Sequence, residues 1–179
     1  MYPKTLRIMK RIFLVVAISG ICTGAFAQKE SDKKFSFSVG PEIGFATGNF
    51  NDTHSIGFGG TVQADINIAP STDFTLTAGI LSYAGRKVSS GTKATAQIII
   101  PFRAGLKYFL SGGFYAAGQL GVGFFSNYGT GTALAYTPML GYEFNTKSGK
   151  AVDAAFKYDG YAKNGTGLGS IGFRVAYRF

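Results

Sequence analysis

From residue 35 to the end of the chain, apolar and polar positions alternate with few interruptions, which is the period of extended strands whose two faces differ. In the first run Phe35, Phe37, Val39, Ile43 and Phe45 share one face and Ser36, Ser38, Gly40, Glu42 and Gly44 the other. The second sets Ile56, Phe58, Val62, Ile66 and Ile68 against Ser55, Gly57, Gly59, Gln63, Asp65 and Asn67. The third sets Phe74, Leu76, Ala78 and Ile80 against Thr75, Thr77 and Gly79. The fourth opposes Ala96, Ile98, Ile100, Phe102, Leu106 and Tyr108 to Thr95, Gln97, Arg103, Gly105 and Lys107. Pro101 falls on its polar face, where it forfeits a ladder hydrogen bond unless a bulge or an edge accommodates it.

Four further runs follow. Phe114, Ala116, Leu120, Val122 and Phe124 oppose Tyr115, Gln119, Gly121 and Gly123; Leu134, Tyr136, Leu140, Tyr142 and Phe144 oppose Ala133, Thr137, Gly141 and Glu143. Val152, Ala154, Phe156 and Tyr158 oppose Asp153, Ala155 and Lys157; Ile171, Phe173, Val175, Tyr177 and Phe179 oppose Gly172, Arg174, Ala176 and Arg178. Gly, Asn, Asp, Ser and Pro clusters place turns or loops at 47–54, 69–73, 85–93, 111–113, 126–131, 145–150 and 159–167. His54, the single histidine, falls in the first of these as a solvated group.

Eight runs of about 10 to 14 residues each are long enough to cross a bilayer at a tilt. The apolar face is continuous and rich in large aromatics, too bulky to fill a small eight-stranded interior. The opposite face is small and polar with scattered charges. An inside-out arrangement follows, with the apolar face to lipid and the polar face to the lumen. Unpaired strand edges in hydrocarbon leave amides and carbonyls unsatisfied at several kcal/mol each, so the sheet must close. The expected fold is an all-β, eight-stranded antiparallel up-and-down transmembrane barrel over residues 35–179. A soluble ligand-binding barrel is the alternative.

In that barrel Glu42, Asp65, Glu143 and Asp153 would pair inside the lumen with Arg103, Lys107, Lys157, Arg174 and Arg178, since a buried charge without a partner is costly. Two aromatic girdles are expected at the membrane interfaces. One comprises Phe35, Phe37, Phe74, Tyr108, Phe114, Tyr142, Phe144, Tyr177 and Phe179, and the other Phe45, Tyr83, Phe124, Tyr136, Tyr158 and Tyr161.

The first 27 residues are a separate object. Lys4, Arg7, Lys10 and Arg11 precede an apolar stretch at 12–21, and Ala25-Phe26-Ala27 supplies the small-x-small pattern of a signal-peptide cleavage site. The mature chain is expected to start at Gln28, with a short polar leader at 28–34. An uncleaved anchor fits less well, because the apolar stretch is short. A lipoprotein is disfavoured because Ile21 stands before Cys22 where Gly or Ala is needed. Removal of Cys22 leaves no thiol for a disulfide. Four of the 18 Lys and Arg residues leave with the signal peptide and none of the nine acids, so the formal net charge falls from +9 to +5. An exported chain of modest charge is not expected to bind nucleic acid.

Composition agrees with a strand-built membrane protein: 46% hydrophobic, 15% aromatic and 26 glycines, with no apolar run after residue 27 that approaches the roughly 20 residues of a spanning helix. The alternation Ile171-x-Phe173-x-Val175-x-Tyr177-x-Phe179 resembles the C-terminal signal that the barrel-assembly machinery recognises, an aromatic end residue behind alternating apolar positions. With the segment 101–109, Pro-Phe-Arg-Ala-Gly-Leu-Lys-Tyr-Phe, the chain is similar to the small outer-membrane β-barrel domain proteins built like OmpX and the OmpA transmembrane domain. The resemblance implies a bacterial outer-membrane location, with the mature N-terminus periplasmic and the loops extracellular. It implies no common activity.

Little catalytic chemistry is legible. A lipid A deacylase-like site needs a Ser-His-acid arrangement, and His54 beside Asp52 and Ser55 is the one place to look. Gly167-x-Gly169-x-x-Gly172 matches a dinucleotide fingerprint only formally, because no helix can follow it. Asn51-Asp52-Thr53 and Asn164-Gly165-Thr166 match a glycosylation pattern that carries little weight in this setting. No metal spacing is present and no cofactor is expected. Arg86, Lys87 and Lys93 in one loop and Lys163 in another could meet the phosphates of lipopolysaccharide. The expectation is a monomeric, non-enzymatic outer-membrane barrel with a structural or surface-interaction role, surrounded by lipid and lipopolysaccharide. The alternative is a narrow pore for small solutes or ions.

Overall fold

Strands of alternating character pair most stably when like faces line up, and each neighbouring pair here does so in antiparallel register. The computed structural model describes residues 34–179 apart from 88–92, 129, 147–148 and 164. The leader at 1–27 and positions 28–33 lie outside the described residues. The elements are β1 (Phe35–Thr47), α1 (Asn49–Thr53), β2 (His54–Ala69), β3 (Thr72–Gly85), β4 (Gln97–Ser111), β5 (Phe114–Asn127), β6 (Gly131–Asn145), β7 (Ala151–Lys163) and β8 (Thr166–Arg178). They form a closed barrel in sequence order. β8 returns to β1 with Gly44 opposite Gly172 and Val39 opposite Tyr177.

The start of β1 and the end of β8 lie at one end of the barrel, where Phe179 N–H donates to the Phe37 carbonyl at 2.8 Å. The connections there are short: residues 70–71, Gly112-Gly113 and 146–150. Gly112 takes φ 60°, a left-handed turn conformation that suits a residue without Cβ. At the opposite end, termed the loop end below, β1 passes to β2 through the short helix α1 and β3 passes to β4 through residues 86–96. The two expected loops at 126–131 and 159–167 are shorter than the turn residues suggested. β5 runs to Asn127, β7 runs to Lys163 and β8 begins at Thr166. The alternation simply continues through Asp159 and Tyr161. The Ala69–Asp73 turn also tightens, and Asp73 sits buried in β3 beside Asn67.

The two faces fall as the alternation requires. Large apolar side chains stand outside, Phe58, Val62, Leu106, Leu120, Leu140 and Phe173 among them, while Thr75, Thr137, Lys107, Glu143 and Asp153 are buried inside. Strands come so close that an added Cβ at Gly40, Gly59, Gly105 or Gly121 would lie 2.0 Å from a neighbouring strand's carbonyl oxygen. This explains much of the glycine content of the inner face. Pro101 is accommodated without a bulge: the β3–β4 ladder has no partners at Gly79, Ile80, Ile100 and Pro101 and resumes in the same register at Leu81 and Ile99.

Most girdle aromatics are on the outer face, including Phe35, Phe45, Tyr108, Phe114, Phe124, Tyr136, Tyr142, Phe144, Tyr177 and Phe179. Tyr83 and Tyr161 are not. They are fully buried inside the barrel, because they continue the inward phase of Thr75-Thr77-Gly79 and of Asp153-Lys157-Asp159. Glycines receive the Tyr83 ring: added Cβ atoms at Gly44 and Gly57 would lie 2.5 and 2.6 Å from it. His54 is likewise not a solvated loop residue. A register shift between His54 and Gly57 turns it inward at the start of β2.

Candidate functional site

An inward charge in a closed barrel must find its partner across the lumen, so side-chain reach decides the network. Near the terminus end Lys107 on β4 places Nζ 3.0 Å from Asp65 Oδ2, 2.9 Å from Glu143 Oε1 and 3.5 Å from Asp153 Oδ2. Its ammonium also stands 4.6 Å from the centroid of the Tyr115 ring, a further favourable contact for a desolvated cation. Arg178, partly exposed at the rim, pairs with Glu143 at 2.9 Å. Tyr115 donates to Asp153 at 2.9 Å, and Gln63 donates to Asp65 at 2.7 Å.

Further along the axis Arg174 on β8 joins Asp153 at 3.2 Å to Glu42 at 3.8 Å. Its remaining donors go to Thr61 Oγ1 at 2.9 Å and Ser38 Oγ at 2.7 Å. Lys157 bridges Glu42 at 2.6 Å and Asp159 at 3.0 Å. Arg103 pairs with Asp159, and both meet Thr137. Uncharged side chains of β3 and β5 join in: Gln119 donates to Thr75 and Thr77 at 2.8 and 2.9 Å, and Thr77 donates to Gln63 at 3.2 Å.

The nine lumen charges expected from the sequence therefore stand in one continuous chain of ion pairs. Asp159 is the tenth member, which the turn residues that follow it assign to a loop by sequence alone. The signal that finds it is the unbroken phase Asp153, Lys157, Asp159. With it the chain holds five acids and five bases and is formally neutral. Among the described residues, Arg103 Nε, Gln119 Oε1 and the Tyr161 hydroxyl are buried without a protein partner.

Above the charges, toward the loop end, the lumen changes character. Phe50 of α1 meets Tyr83 at 4.9 Å and Phe125 meets Tyr161 at 5.3 Å between ring centroids. Leu81, Ile99, Ala133 and Ala135 complete this apolar plug. The Tyr83 hydroxyl is 2.8 Å from Ser170 Oγ. His54 is held beside the plug, with Nδ1 2.8 Å from Thr53 Oγ1 and Nε2 3.1 Å from the Thr95 carbonyl. Because a carbonyl only accepts, Nε2 carries the proton and Nδ1 accepts from Thr53. Behind the ring stands a neutral carbonyl in place of the carboxylate that a Ser-His-acid arrangement needs.

The expected basic loop residues separate into two places. Arg86, Lys87 and Lys93 lie together and exposed at the base of the β3–β4 connection, where Lys87 and Lys93 are bridged strand to strand and Ala94 donates to the Arg86 carbonyl at 2.8 Å. Lys163 is elsewhere, at the end of β7, with Nζ 2.5 Å from the Thr130 carbonyl. Ile171, Phe173, Val175, Tyr177 and Phe179 all face outward along β8 and its end.

The sequence profile described as the outer membrane protein beta-barrel domain matches residues 13–179. No curated protein matches the sequence. Among solved structures, Ail, the attachment invasion locus protein of Yersinia pestis, solved with the heparin analogue sucrose octasulfate, is similar at 17% identity and a TM-score of 0.55. That match covers 81% of this chain and 97% of Ail. Neisserial surface protein A matches at 16% identity and a TM-score of 0.58, covering 83% of this chain and 98% of its own. OprG from Pseudomonas aeruginosa matches at 12% identity and a TM-score of 0.53, covering 80% and 95%. At these identities the likeness is one of fold.

Proposed function

The chain belongs to the outer membrane protein beta-barrel domain family, and from that premise we propose that it is a filled, non-enzymatic barrel of the bacterial outer membrane that acts at the cell surface through its loop end. The observation that carries this reading is the lumen: a formally neutral chain of ten paired charges lies beneath an apolar plug built on Phe50, Tyr83, Phe125 and Tyr161. Small barrels are normally filled by their side chains, and an ion entering this one would have to displace buried pairs from their partners.

On this reading the mature chain starts at Gln28 after signal-peptide cleavage, its N-terminus is periplasmic and the loop end is extracellular. The C-terminal alternation ending at Phe179 serves the barrel-assembly machinery. The barrel works as a monomer. Arg86, Lys87 and Lys93 are the residues offered to lipopolysaccharide phosphates, since like charges placed opposite each other on paired strands are favoured when an anion lies between them. The polysulfated ligand of Ail is a precedent on a similar fold for a polyanion as partner.

Planar-bilayer recording on the purified protein tests the filled lumen. The expected result is a quiet baseline. A steady open level would overturn this reading in favour of a narrow pore for small solutes or ions.

A further inference from the structure

The plug has a pocket above it. At the loop end a cavity of about 160 Å³ is lined by Phe50, His54, Phe125, Tyr128 and Leu168, with Lys163 among its walls. Three of its walls are rings that pack on one another: His54 lies 5.0 Å from Phe50 and 4.9 Å from Tyr128 between centroids, the latter pair nearly perpendicular. A dry cavity of about 150 Å³ is large enough to hold benzene. This pocket, which is open on one side and also walled by Thr53 and Gln97, thus has room for one aromatic ring with edge-to-face contacts available to it.

Lys163 gives the pocket a sign. Its Nζ rests against the Thr130 carbonyl, and among the described residues it has no ion-pair partner. Gly131 leaves space for it, since an added Cβ there would stand 2.8 Å from Nζ. The ten lumen charges below are neutral in sum, so an anion at this level meets no opposing net charge from them. We propose that this pocket is a binding site for a small aromatic monoanion, a single ring carrying one carboxylate. The ring sits among Phe50, His54 and Tyr128, and the carboxylate takes a charge-assisted hydrogen bond from Lys163. The site is independent of whether the lumen conducts.

The test is a fluorine-NMR titration of the detergent-solubilised protein with 4-fluorobenzoate, and with 4-fluorobenzyl alcohol as the neutral isostere. Wild type is expected to bind both saturably at one site. Lys163→Gln should weaken 4-fluorobenzoate about tenfold, the loss of one hydrogen bond to a charged group, and leave the alcohol unchanged. Leu168→Phe, which adds a ring to the pocket, should abolish both. The proposal is overturned if wild type shows no saturable binding, if Lys163→Gln leaves 4-fluorobenzoate unaffected, or if Leu168→Phe still binds, the last being partition into detergent.

Discussion

Lys157 on β7 reaches past β8 to Glu42 on β1, placing Nζ 2.6 Å from Oε2. Its stem passes over Gly172 of the intervening strand, where an added Cβ would stand 3.6 Å from Cε. The pair thus ties the last strands of the barrel to the first from within.

Breaking one side of this pair leaves the buried network with one charge in excess, although Lys157 keeps Asp159 and Glu42 keeps Arg174. Glu42→Gln and Lys157→Met should each destabilise the barrel by about 3 kcal/mol, the lower end of what breaking a buried pair costs. The double variant should lose clearly less than the two losses added together, because the buried network is then neutral again. Urea unfolding in lipid vesicles measures all three, and strict additivity would mean that the two groups do not interact.

Asp159 gives a sharper prediction because it separates a lumen residue from a loop residue. Among the described residues it is the only ion-pair partner of Arg103, and it shares Lys157 with Glu42. Asp159→Asn should destabilise by about 3 kcal/mol or more. A solvated loop residue would change stability by no more than about 0.5 kcal/mol.

Two glycines of β5 should behave differently although they are three residues apart. At Gly121 a Cβ would lie 2.0 Å from the Phe102 carbonyl oxygen and 2.7 Å from Arg103 Cα, so alanine must push β4 and β5 apart. At Gly118 nothing lies within 4 Å. Gly121→Ala should cost about 1–3 kcal/mol, and Gly118→Ala should stay within about 0.5 kcal/mol of wild type. The same unfolding curves report both.

The strand count, the pairing order and the identity of nine lumen charges were legible because one barrel face meets hydrocarbon and the other does not, so polarity tracks residue parity. The contrast fails where the inside itself becomes apolar. Leu81 and Tyr83 point inward while Ser82 between them points out, which inverts the usual pattern and sends Tyr83 to a lipid girdle on paper. Tyr161 is the same case on β7. His54 escaped because a register shift of the ladder breaks the phase between it and Gly57, and no residue type marks that shift. Which charge meets which was also beyond periodicity. Lys107 and Asp65 are 42 positions apart and joined across the lumen, a matter of side-chain reach in the closed barrel.

An inside-out barrel is defined by which face of its sheet meets lipid. Gln119 and Leu120 are neighbours on β5, at 2% and 64% exposure. Each can be changed to cysteine in the chain that starts at Gln28, which has no other thiol, and labelled with a nitroxide in lipid vesicles. The label at Leu120 should collide with oxygen dissolved in the bilayer and be shielded from a water-soluble nickel chelate, and the label at Gln119 should be shielded from both. A label at Leu120 that meets the nickel chelate freely would contradict the inside-out barrel.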